Sequence, residues 1–254
     1  MKAERHMRAK VYALIAAAGA GSRMGRPGGK QLINLDGKTV IRRSCEAFEA
    51  SNYVDAYVVL TDPTHLQAMQ NELHDLKSQG KCLAILQGGD SRQATVMEGL
   101  RYLQIELDRH SGGRYSQQSP EDRIVCLVHD GARCLVSPQL IDQAAVIILD
   151  QKVGTAPALP ATDTVRILHK AGEGSETPPR AQTLLMQTPQ GADLDVMLEA
   201  YYKAEADGLS LTDDVQALEH LGYPLYFYEG DRKNIKLTRP EDLALASFFL
   251  NSEH

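Results

Sequence analysis

Apolar and polar positions follow a strand–helix pattern along the chain up to Leu159. Four short apolar runs predict strands, at 11–17 (VYALIAA), 54–60 (VDAYVVL), 82–86 (CLAIL) and 124–128 (IVCLV). Apolar residues at helical spacing predict helices between them, at 39–50, at 63 to about 76 and at 91–107. Strands that alternate with helices form a mostly parallel, right-handed sheet, so we expect an α/β fold with ligands at the carboxyl ends of the strands.

The alternation stops after Leu159, which argues against an eightfold barrel. Two runs at 163–168 (DTVRIL) and 182–186 (QTLLM) flank a polar, turn-rich segment, and they predict a projecting hairpin arm within 161–186. Such an arm has little core of its own, so we expect a partner to cover it.

The remaining chain returns to helix and strand. We predict helices at 193–205 and 212–220, the second with Thr212 as its N-cap, then a strand at 225–229 and a last helix. Residues 108–122 are polar, rich in Gly, Ser and Gln, and without periodicity, which predicts an exposed, mobile loop.

Length and composition fit one large α/β domain over 1–254, because 43% apolar residues can build a sizeable core. The formal charge of −6 argues against a nucleic-acid surface. The four cysteines form no metal-ligand spacing with histidine, which predicts reduced, mostly buried thiols in a cytoplasmic protein. A basic start before an apolar run imitates a signal peptide, but the run is short, and no stretch approaches the roughly 18 apolar residues of a membrane span.

A glycine-rich loop with two cations, AGAGSRMGRPGGKQ, follows the first predicted strand. Its glycines let backbone N–H groups approach an anion, and Arg23 and Lys30 add fixed positive charge. A dinucleotide loop needs glycine at Met24, and a P-loop needs Ser or Thr at Gln31, so spacing excludes both. The alternative is a flexible surface turn, but such a turn rarely carries Arg and Lys just after an apolar strand. We therefore predict a phosphate-binding loop.

Two further loops follow predicted strands and carry polar groups. In QGGDSRQAT the glycines let backbone pass close to a ligand, while Asp90 and Thr95 would suit a nucleobase and ribose; an ordinary helix cap at Asp90 is at least as good an interpretation. In HDGAR, Asp130 is suited to holding a divalent cation on phosphates, with a capping Asp salt-bridged to Arg133 as the alternative. His129 is assigned no role.

The later part of the chain adds further candidates for anion binding. Arg180 lies on the predicted arm, Thr188 in QTPQ and Lys236 in NIKLT. The cations together supply more positive charge than the phosphates of one mononucleotide need. A second anionic substrate would account for the surplus.

The motifs AAAGAGSRMG, KQ, GGDSR, HDGAR, DTV, QTPQ, LTDD and NIKLTRPEDL resemble those of the 2-C-methyl-D-erythritol 4-phosphate cytidylyltransferase (4-diphosphocytidyl-2-C-methyl-D-erythritol synthase) family over nearly the whole chain. The resemblance implies a Rossmann-like nucleotidyltransferase fold, with a twisted sheet flanked by helices and a β-arm for dimerisation. It also implies a Mg²⁺-dependent homodimer that makes diphosphocytidyl methylerythritol and pyrophosphate from CTP and methylerythritol phosphate.

Carried over position by position, the resemblance implies three groups of site residues. The catalytic group would be Arg23, Lys30, Asp130 and Lys236, with Asp130 serving Mg²⁺. The nucleotide would lie against Ala17, Ala18, Gly19, Gly89, Asp90 and Thr95. The second substrate would lie against Gly131, Arg133 and Thr188, and against Thr164 and Arg180 from a partner's arm.

Two rival functions remain open on the sequence. A ribitol-phosphate (pentitol-phosphate) cytidylyltransferase would share the CTP motifs, although PPRAQTLLMQTPQ resembles the methylerythritol pattern. A non-catalytic nucleotide-binding protein would not need Arg23, Lys30, Asp130 and Lys236 together. Gly131 and Cys134 depart from the common alanine and proline of the family, and the first of these gives the loop more backbone freedom.

Overall fold

A computed structural model describes residues 9–19, 29–111, 123–169 and 174–252. The strands are β1 (Lys10–Ala17), β2 (Asn34–Leu35), β3 (Lys38–Thr39), β4 (Ala56–Thr61), β5 (Cys82–Gln87), β6 (Ile124–Asp130), β7 (Gly154–Pro160), β8 (Ile167–Leu168), β9 (Ser175–Glu176), β10 (Leu184–Met186), β11 (Gln190–Asp193) and β12 (Leu225–Glu229). The α-helices are α1 (Val40–Ala50), α2 (Leu66–Glu72), α3 (His74–Gln79), α4 (Arg92–Ser111), α5 (Pro138–Gln151), α6 (Leu194–Ala206), α7 (Asp214–Leu221) and α8 (Pro240–Asn251).

Eight of these strands form one mixed sheet, in the order β10-β7-β11-β6-β1-β4-β5, with β12 paired to β7. Strands β5, β4, β1 and β6 run parallel to one another, whereas β11 runs antiparallel to β6 and β10 antiparallel to β7. This architecture confirms the expected mostly parallel α/β sheet. The carboxyl ends of β1, β5 and β6 therefore lie at the same edge.

Alternation along β1 explains why helices cover both faces of the sheet. Val11 and Ile15 belong to a buried cluster with residues of α1 and α5, whereas Leu14 belongs to a second cluster with residues of α4 and α6. Because successive side chains of a strand point to opposite faces, one apolar strand supplies both layers of the core. Among the described residues, none of the helices combines the length and the apolarity of a bilayer span.

The predicted hairpin arm is wrong in its pairing. Residues 163–168 do not pair with 182–186. Instead β8 pairs with β9 in a small ribbon, and β10 joins the main sheet against β7. The reason is that residues 158–160 of β7 offer backbone hydrogen-bonding groups to a further strand. Pairing there aligns all three residues of β10 with β7, whereas the β8–β9 ribbon is only two residues long. Whether 1–254 is a single domain with 161–186 as its arm stays a prediction.

Three local predictions also need correction. Helix α7 is capped by Asp213, whose carboxylate accepts from Gln216 N, and not by Thr212. The helix predicted from residue 63 to about 76 is a 3₁₀ turn (Pro63–His65) followed by α2 and α3. Helix α4 continues to Ser111, so the start of the predicted loop at 108–122 is helical, and its remainder lies outside the described residues.

Candidate active site

A cleft of about 500 Å³ opens at the carboxyl ends of β1, β5 and β6, where the parallel fold was expected to bind ligands. Its volume suits a small molecule such as a nucleotide. Many of the predicted site residues line it, namely Ala18, Gly19, Lys30, Gly89, Asp90, Thr95, Asp130 and Lys236. Arg23 lies outside the described residues, as does the part of the glycine-rich loop from 20 to 28.

The turn between β5 and α4 brings backbone against the end of β1. A Cβ on Gly88 would lie 2.8 Å from Ala18 Cβ, and one on Gly89 would lie 2.5 Å from Ala94 Cβ, so only glycine fits at either position. The buried Thr95 closes the turn, since its hydroxyl donates to the Gly89 carbonyl at 3.2 Å. The turn therefore forms a flat wall of main chain on one side of the cleft.

Ser91, and not Asp90, caps helix α4. The Ser91 hydroxyl accepts from Ala94 N at 3.0 Å, while Asp90 is exposed and lines the cleft. The helix-cap interpretation of Asp90 is thus wrong. Its role at the nucleotide stays a prediction.

Lys30 borders the cleft from the segment that follows the glycine-rich loop. Gly29 has φ of 74°, and a Cβ there would lie 3.1 Å from the His65 ring, so this entry to Lys30 needs glycine. The buried Gln31 then donates its amide to the Gly19 carbonyl at 3.3 Å, and the Lys30 ammonium donates to the Leu237 carbonyl at 3.2 Å. These bonds fix the Lys30 side chain beside the end of β1.

Asp130 ends the fully buried strand β6 and is only 7% exposed. Three cations surround its carboxylate: Arg92 Nε lies 3.0 Å from Oδ1, Lys236 Nζ lies 2.8 Å from Oδ2, and Arg133 Nε lies 3.6 Å from Oδ2. Burial alone would raise the pKa of Asp130, but these cations outweigh it and hold that pKa well below its usual range. The carboxylate is therefore ionised and strongly paired.

Lys236 reaches Asp130 from a segment that side chains fasten to the protein. Arg133 Nη1 donates to the Asn234 carbonyl, and the Asn234 amide donates to the Thr188 carbonyl, both at 2.9 Å. Leu237 N also donates to the Ala132 carbonyl at 2.9 Å. The Lys236 side chain keeps 38% of its surface exposed, so its ammonium can face both Asp130 and the cleft.

Arg133 and Thr188 do not line the cleft, although they lie directly behind Asp130. The Arg133 guanidinium donates to the carbonyls of Asn234 and Met186, and the Thr188 hydroxyl, 2% exposed, accepts from Asp130 N at 3.1 Å. In these contacts both side chains hold loops in place. Their predicted contact with a second substrate stays a prediction.

Two other predicted residues contribute backbone. Ala17 is buried in the core. Gly131 N donates to the Ala16 carbonyl at 2.9 Å, and a Cβ on Gly131 would lie 3.1 Å from Ile41 Cδ1, which leaves little room for a side chain. A side chain at this position would thus tighten the contact between the end of β6 and α1.

Thr164 and Arg180 come together on the arm, away from the cleft. Arg180 Nη2 donates to the Thr164 hydroxyl at 3.2 Å, and the two side chains line a small separate cavity of about 80 Å³. Both side chains are exposed, as are large apolar side chains on the arm strands. Those apolar residues are Ile167, Leu168, Leu184 and Leu185.

Arg92 and Asp214 belong to the site but were not predicted from the sequence. Arg92, on the first turn of α4, lines the cleft and bridges Asp130 to Asp214. Burial lowers the pKa of the Arg92 guanidinium, but Asp214 and Asp130 outweigh it and raise that pKa above its usual value. Arg92 is the last residue of the motif GGDSR, and Asp214 is the last residue of LTDD. The sequence feature that could have indicated them is a charged residue at the start of each of two helices.

The described residues contain no group of three His, Cys, Asp or Glu side chains that could hold a metal ion by themselves. A cation in this cleft would therefore need ligands beyond the protein's side chains. Phosphate oxygens of a nucleotide are the usual source of such ligands for Mg²⁺.

Comparison with known proteins supports the resemblance drawn from the motifs. A family model described as IspD, 2-C-methyl-D-erythritol 4-phosphate cytidylyltransferase, matches residues 11–252. The protein of that name from Trichodesmium erythraeum is 34% identical over 237 residues, which cover 93% of this chain and 97% of the relative. The one from Nostoc punctiforme is 32% identical over 95% of this chain and 99% of the relative.

Solved structures agree with the sequence relatives. The 2-C-methyl-D-erythritol 4-phosphate cytidylyltransferase from Thermus thermophilus superimposes with a TM-score of 0.69 at 28% identity, covering 95% of this chain and 99% of that one. The 4-diphosphocytidyl-2C-methyl-D-erythritol synthase from Anaerococcus prevotii superimposes with a TM-score of 0.77 at 23% identity, over 97% of this chain and 98% of that one, and so supports the fold. The family resemblance and the Rossmann-like fold are both confirmed.

Proposed function

Because this chain belongs to the 2-C-methyl-D-erythritol 4-phosphate cytidylyltransferase family, we propose that its cleft transfers CMP from CTP to 2-C-methyl-D-erythritol 4-phosphate. The products are 4-diphosphocytidyl-2-C-methyl-D-erythritol and pyrophosphate, in the non-mevalonate route to isoprenoids. One observation carries the proposal: Lys30, Lys236 and Asp130 meet in a cleft that also has the Gly88-Gly89 wall of main chain. Cations beside a flat backbone wall suit a nucleoside triphosphate.

The wall of main chain would select the base. Close contacts at Gly88 and Gly89 leave backbone groups, and not side chains, to face a ligand there. Asp90 and Thr95 lie at its edge. We expect this wall to favour a pyrimidine over a purine.

The charged residues would do the chemistry by positioning and neutralisation. A phosphate monoester has a second pKa near 6, so at neutral pH it is already largely a nucleophilic dianion. No general base is then required. Lys30 and Lys236 would hold the two anionic substrates together and stabilise the charge that grows on the α-phosphate and the leaving pyrophosphate.

We also propose that Asp130 takes part in holding Mg²⁺. The donor set fits, because Mg²⁺ binds through one or two carboxylates together with substrate phosphates and retained waters, and Asp130 is an ionised carboxylate on the cleft wall. When bound, Mg²⁺ would neutralise charge on the phosphates. Lys236, now 2.8 Å from Oδ2, would then be freed to contact an anion.

A pyrophosphate-release assay tests the proposed function. The purified protein would be given each of CTP, UTP, ATP and GTP with either methylerythritol phosphate or ribitol phosphate. We expect turnover with CTP and methylerythritol phosphate. Faster turnover with ribitol phosphate would favour the pentitol-phosphate enzyme, comparable turnover with ATP or GTP would contradict the base pocket, and CTP binding without pyrophosphate release would favour a non-catalytic nucleotide-binding protein.

A homodimer would complete the site. Thr164 and Arg180 match substrate-binding positions of the family, yet in this chain they lie on the arm and line a cavity separate from the cleft. The apolar side chains exposed on the arm also need a partner. We propose that the arm of a second copy brings Arg180 to the cleft. We also propose that the protein works in the cytoplasm, where its four free cysteines would stay reduced.

Subunit mixing tests this assembly. Arg180→Ala spoils the arm and Lys30→Ala spoils the cleft, so each variant alone should be nearly inactive. In a mixed C₂ dimer one site regains an intact cleft and an intact arm, while the other carries both defects. Random assortment makes about half of the dimers mixed, so activity should recover to roughly a quarter of wild type.

Arms that act within their own chain give a different result. Every site in the mixture would then keep one defect. Activity that stays at the level of the separate variants, after subunit exchange has been verified by mass, would contradict the shared site.

A further inference from the structure

Asp214 is a carboxylate with no exposed surface, which needs a physical explanation. Its oxygens accept from Arg92 Nη1 at 2.9 Å and Nη2 at 2.5 Å, and the Tyr201 hydroxyl donates to Oδ1 at 2.5 Å. Removing both charges of an ion pair from water has a large desolvation cost, and well-packed apolar residues of similar volume often stabilise a fold equally well or better. Folding stability alone therefore does not explain why this pair is charged.

The backbone of Asp214 is held as firmly as its side chain. It is the first residue of α7, and its N–H donates to the Gln190 side-chain carbonyl at 2.8 Å. The same Gln190 oxygen accepts from Val215 N at 3.0 Å. Asp214 is thus a fixed anchor, tied to β11 and α6 as well as to its own helix.

The Arg92 fork transmits this fixed position to the cleft. Both terminal nitrogens are used on Asp214, which leaves Nε to donate to Asp130 Oδ1 at 3.0 Å. Oδ1 is therefore engaged from within the protein, and Oδ2 is the oxygen that meets Lys236. Only arginine can hold two carboxylates in this way, because lysine has a single point charge and no planar fork.

The pair also sets how much positive charge Asp130 meets. Arg92 brings one positive charge and is shared between two carboxylates. If Asp214 were neutral, the whole charge of Arg92 would act on Asp130 and on any cation beside it. Asp214 thus keeps Arg92 in place without making the wall repel a divalent cation.

We propose that Arg92, anchored by Asp214, is a positioning residue that orients Asp130 and preserves its affinity for a nucleotide-bound divalent cation. This inference rests on the proposed function only in taking Asp130 as the residue that serves the cation, and not on the transfer reaction itself. Neither Arg92 nor Asp214 touches the reacting atoms in this role. Both act through the Asp130 carboxylate.

Asp214→Asn is the decisive variant, because it keeps the shape of the side chain and removes its charge. Binding of Mn²⁺ in the presence of CTP, without acceptor, would be followed by electron paramagnetic resonance, which needs no turnover. We expect the Mn²⁺ affinity to fall roughly tenfold or more, since an uncompensated cation would then lie next to the metal. The Mg²⁺ concentration for half-maximal turnover should rise by a similar factor.

Asp193→Asn is the matched control. Asp193 is likewise paired with an arginine, since Arg123 Nη2 donates to its two oxygens at 2.8 and 2.9 Å, but this pair lies beside the start of β6 and far along the strand from Asp130. We expect this control to bind Mn²⁺ like wild type. A folded Asp214→Asn variant that also binds Mn²⁺ like wild type, or a control that loses as much affinity, would overturn the inference.

Arg92→Lys keeps the test decisive if Asp214→Asn does not fold. Lysine retains the charge but cannot reach both carboxylates, so we expect the Mn²⁺ affinity in the presence of CTP to fall roughly tenfold or more, and the Mg²⁺ concentration for half-maximal turnover to rise by a similar factor. Wild-type Mn²⁺ affinity in this variant would contradict the inference. If wild type releases no pyrophosphate but Asp214→Asn still weakens Mn²⁺ binding, the proposed function fails and the inference stands. If wild type turns over normally and Asp214→Asn binds Mn²⁺ with wild-type affinity, the inference fails and the proposed function stands.

Discussion

An arginine–aspartate pair lies at each end of β6, but the two pairs differ in the charged groups that surround them. Beside the amino end, Arg123 Nη2 donates to both oxygens of Asp193, and the two terminal nitrogens of Arg123 also donate to the carbonyls of Ile148 and Leu149 at 3.0 and 2.8 Å. At the carboxyl end, Asp130 meets Arg92, Lys236 and Arg133 together. One carboxylate faces one cation, and the other faces three.

The pKa of each carboxyl group follows from this difference. Burial raises the pKa of Asp193, and the single Arg123 only partly opposes it. Burial also raises the pKa of Asp130, but three cations outweigh the burial and lower the pKa well below its usual range. The amino end is thus a closed structural pair, whereas the carboxyl end holds positive charge in excess of its carboxylate, beside an open cleft that also contains Lys30.

The largest effect is expected at the carboxyl end. Lys30→Ala should lower kcat about 10²–10³-fold, or roughly 2.7–4 kcal/mol, because it removes one preorganised donor for the transition state. The KM for CTP should change far less. Steady-state pyrophosphate release at saturating acceptor measures both.

Lys38→Ala is the control for this prediction. Lys38 is an exposed lysine nearby in the sequence, ion-paired with Glu46 at 2.7 Å, and does not line the cleft. Its loss should leave kcat near wild type. If Lys30→Ala instead bound CTP poorly but turned over normally at saturation, Lys30 would act only in ground-state binding, and the excess charge at this end would not be catalytic.

The sequence predicted the main strands and most of the cleft because both depend on local pattern. The run 124–128 identifies β6, and the loops after β1, β5 and β6 lie at one edge as soon as the sheet is parallel. Charged letters in those loops are then close in space. Lys30 and Asp130 could therefore be placed together from the pattern, whereas Lys236, which follows β12, was placed with them by the family resemblance.

The sequence did not predict what depends on distant partners. Arg92 and Asp214 are 122 positions apart, and no local pattern indicates that α7 starts beside α4. The predicted pairing of the arm was wrong for a related reason. Strand β10 pairs with β7, although more than 20 residues lie between them in the chain, and not with residues 163–168. Propensity marks such segments as strands but does not choose their neighbours.

A smaller effect, of a different kind, is expected at the amino end. Arg123→Ala leaves the Asp193 carboxylate and two backbone carbonyls without their donor, in surroundings where Arg123 and Asp193 side chains are each only 18% exposed. We expect a loss of roughly 1–3 kcal/mol in the free energy of unfolding, measured by urea titration. Turnover of the folded enzyme should be unchanged. A variant of wild-type stability with impaired kcat would break the comparison, since the amino end would then be functional.

The smallest effect concerns the thiols along and after β6, and it tests whether the carboxyl end opens to admit a ligand. Cys126 lies in the middle of β6 and Cys134 in the turn after it, and both are buried. Burial raises the pKa of Cys134 to about 11, although Arg43 opposes it, so roughly one thiol in a thousand is ionised at pH 8, and the thiolate is the reactive form. A chromogenic aromatic disulfide reagent should therefore leave the native thiols nearly unmodified, with or without CTP, and should titrate four in denaturant. The contrary result would be one rapidly reacting thiol in native wild type that is missing in Cys134→Ser. It would show that residues 131–136 move away from the core. The positive charge at this end of β6 would then not be held in the fixed arrangement on which the comparison of the two ends depends.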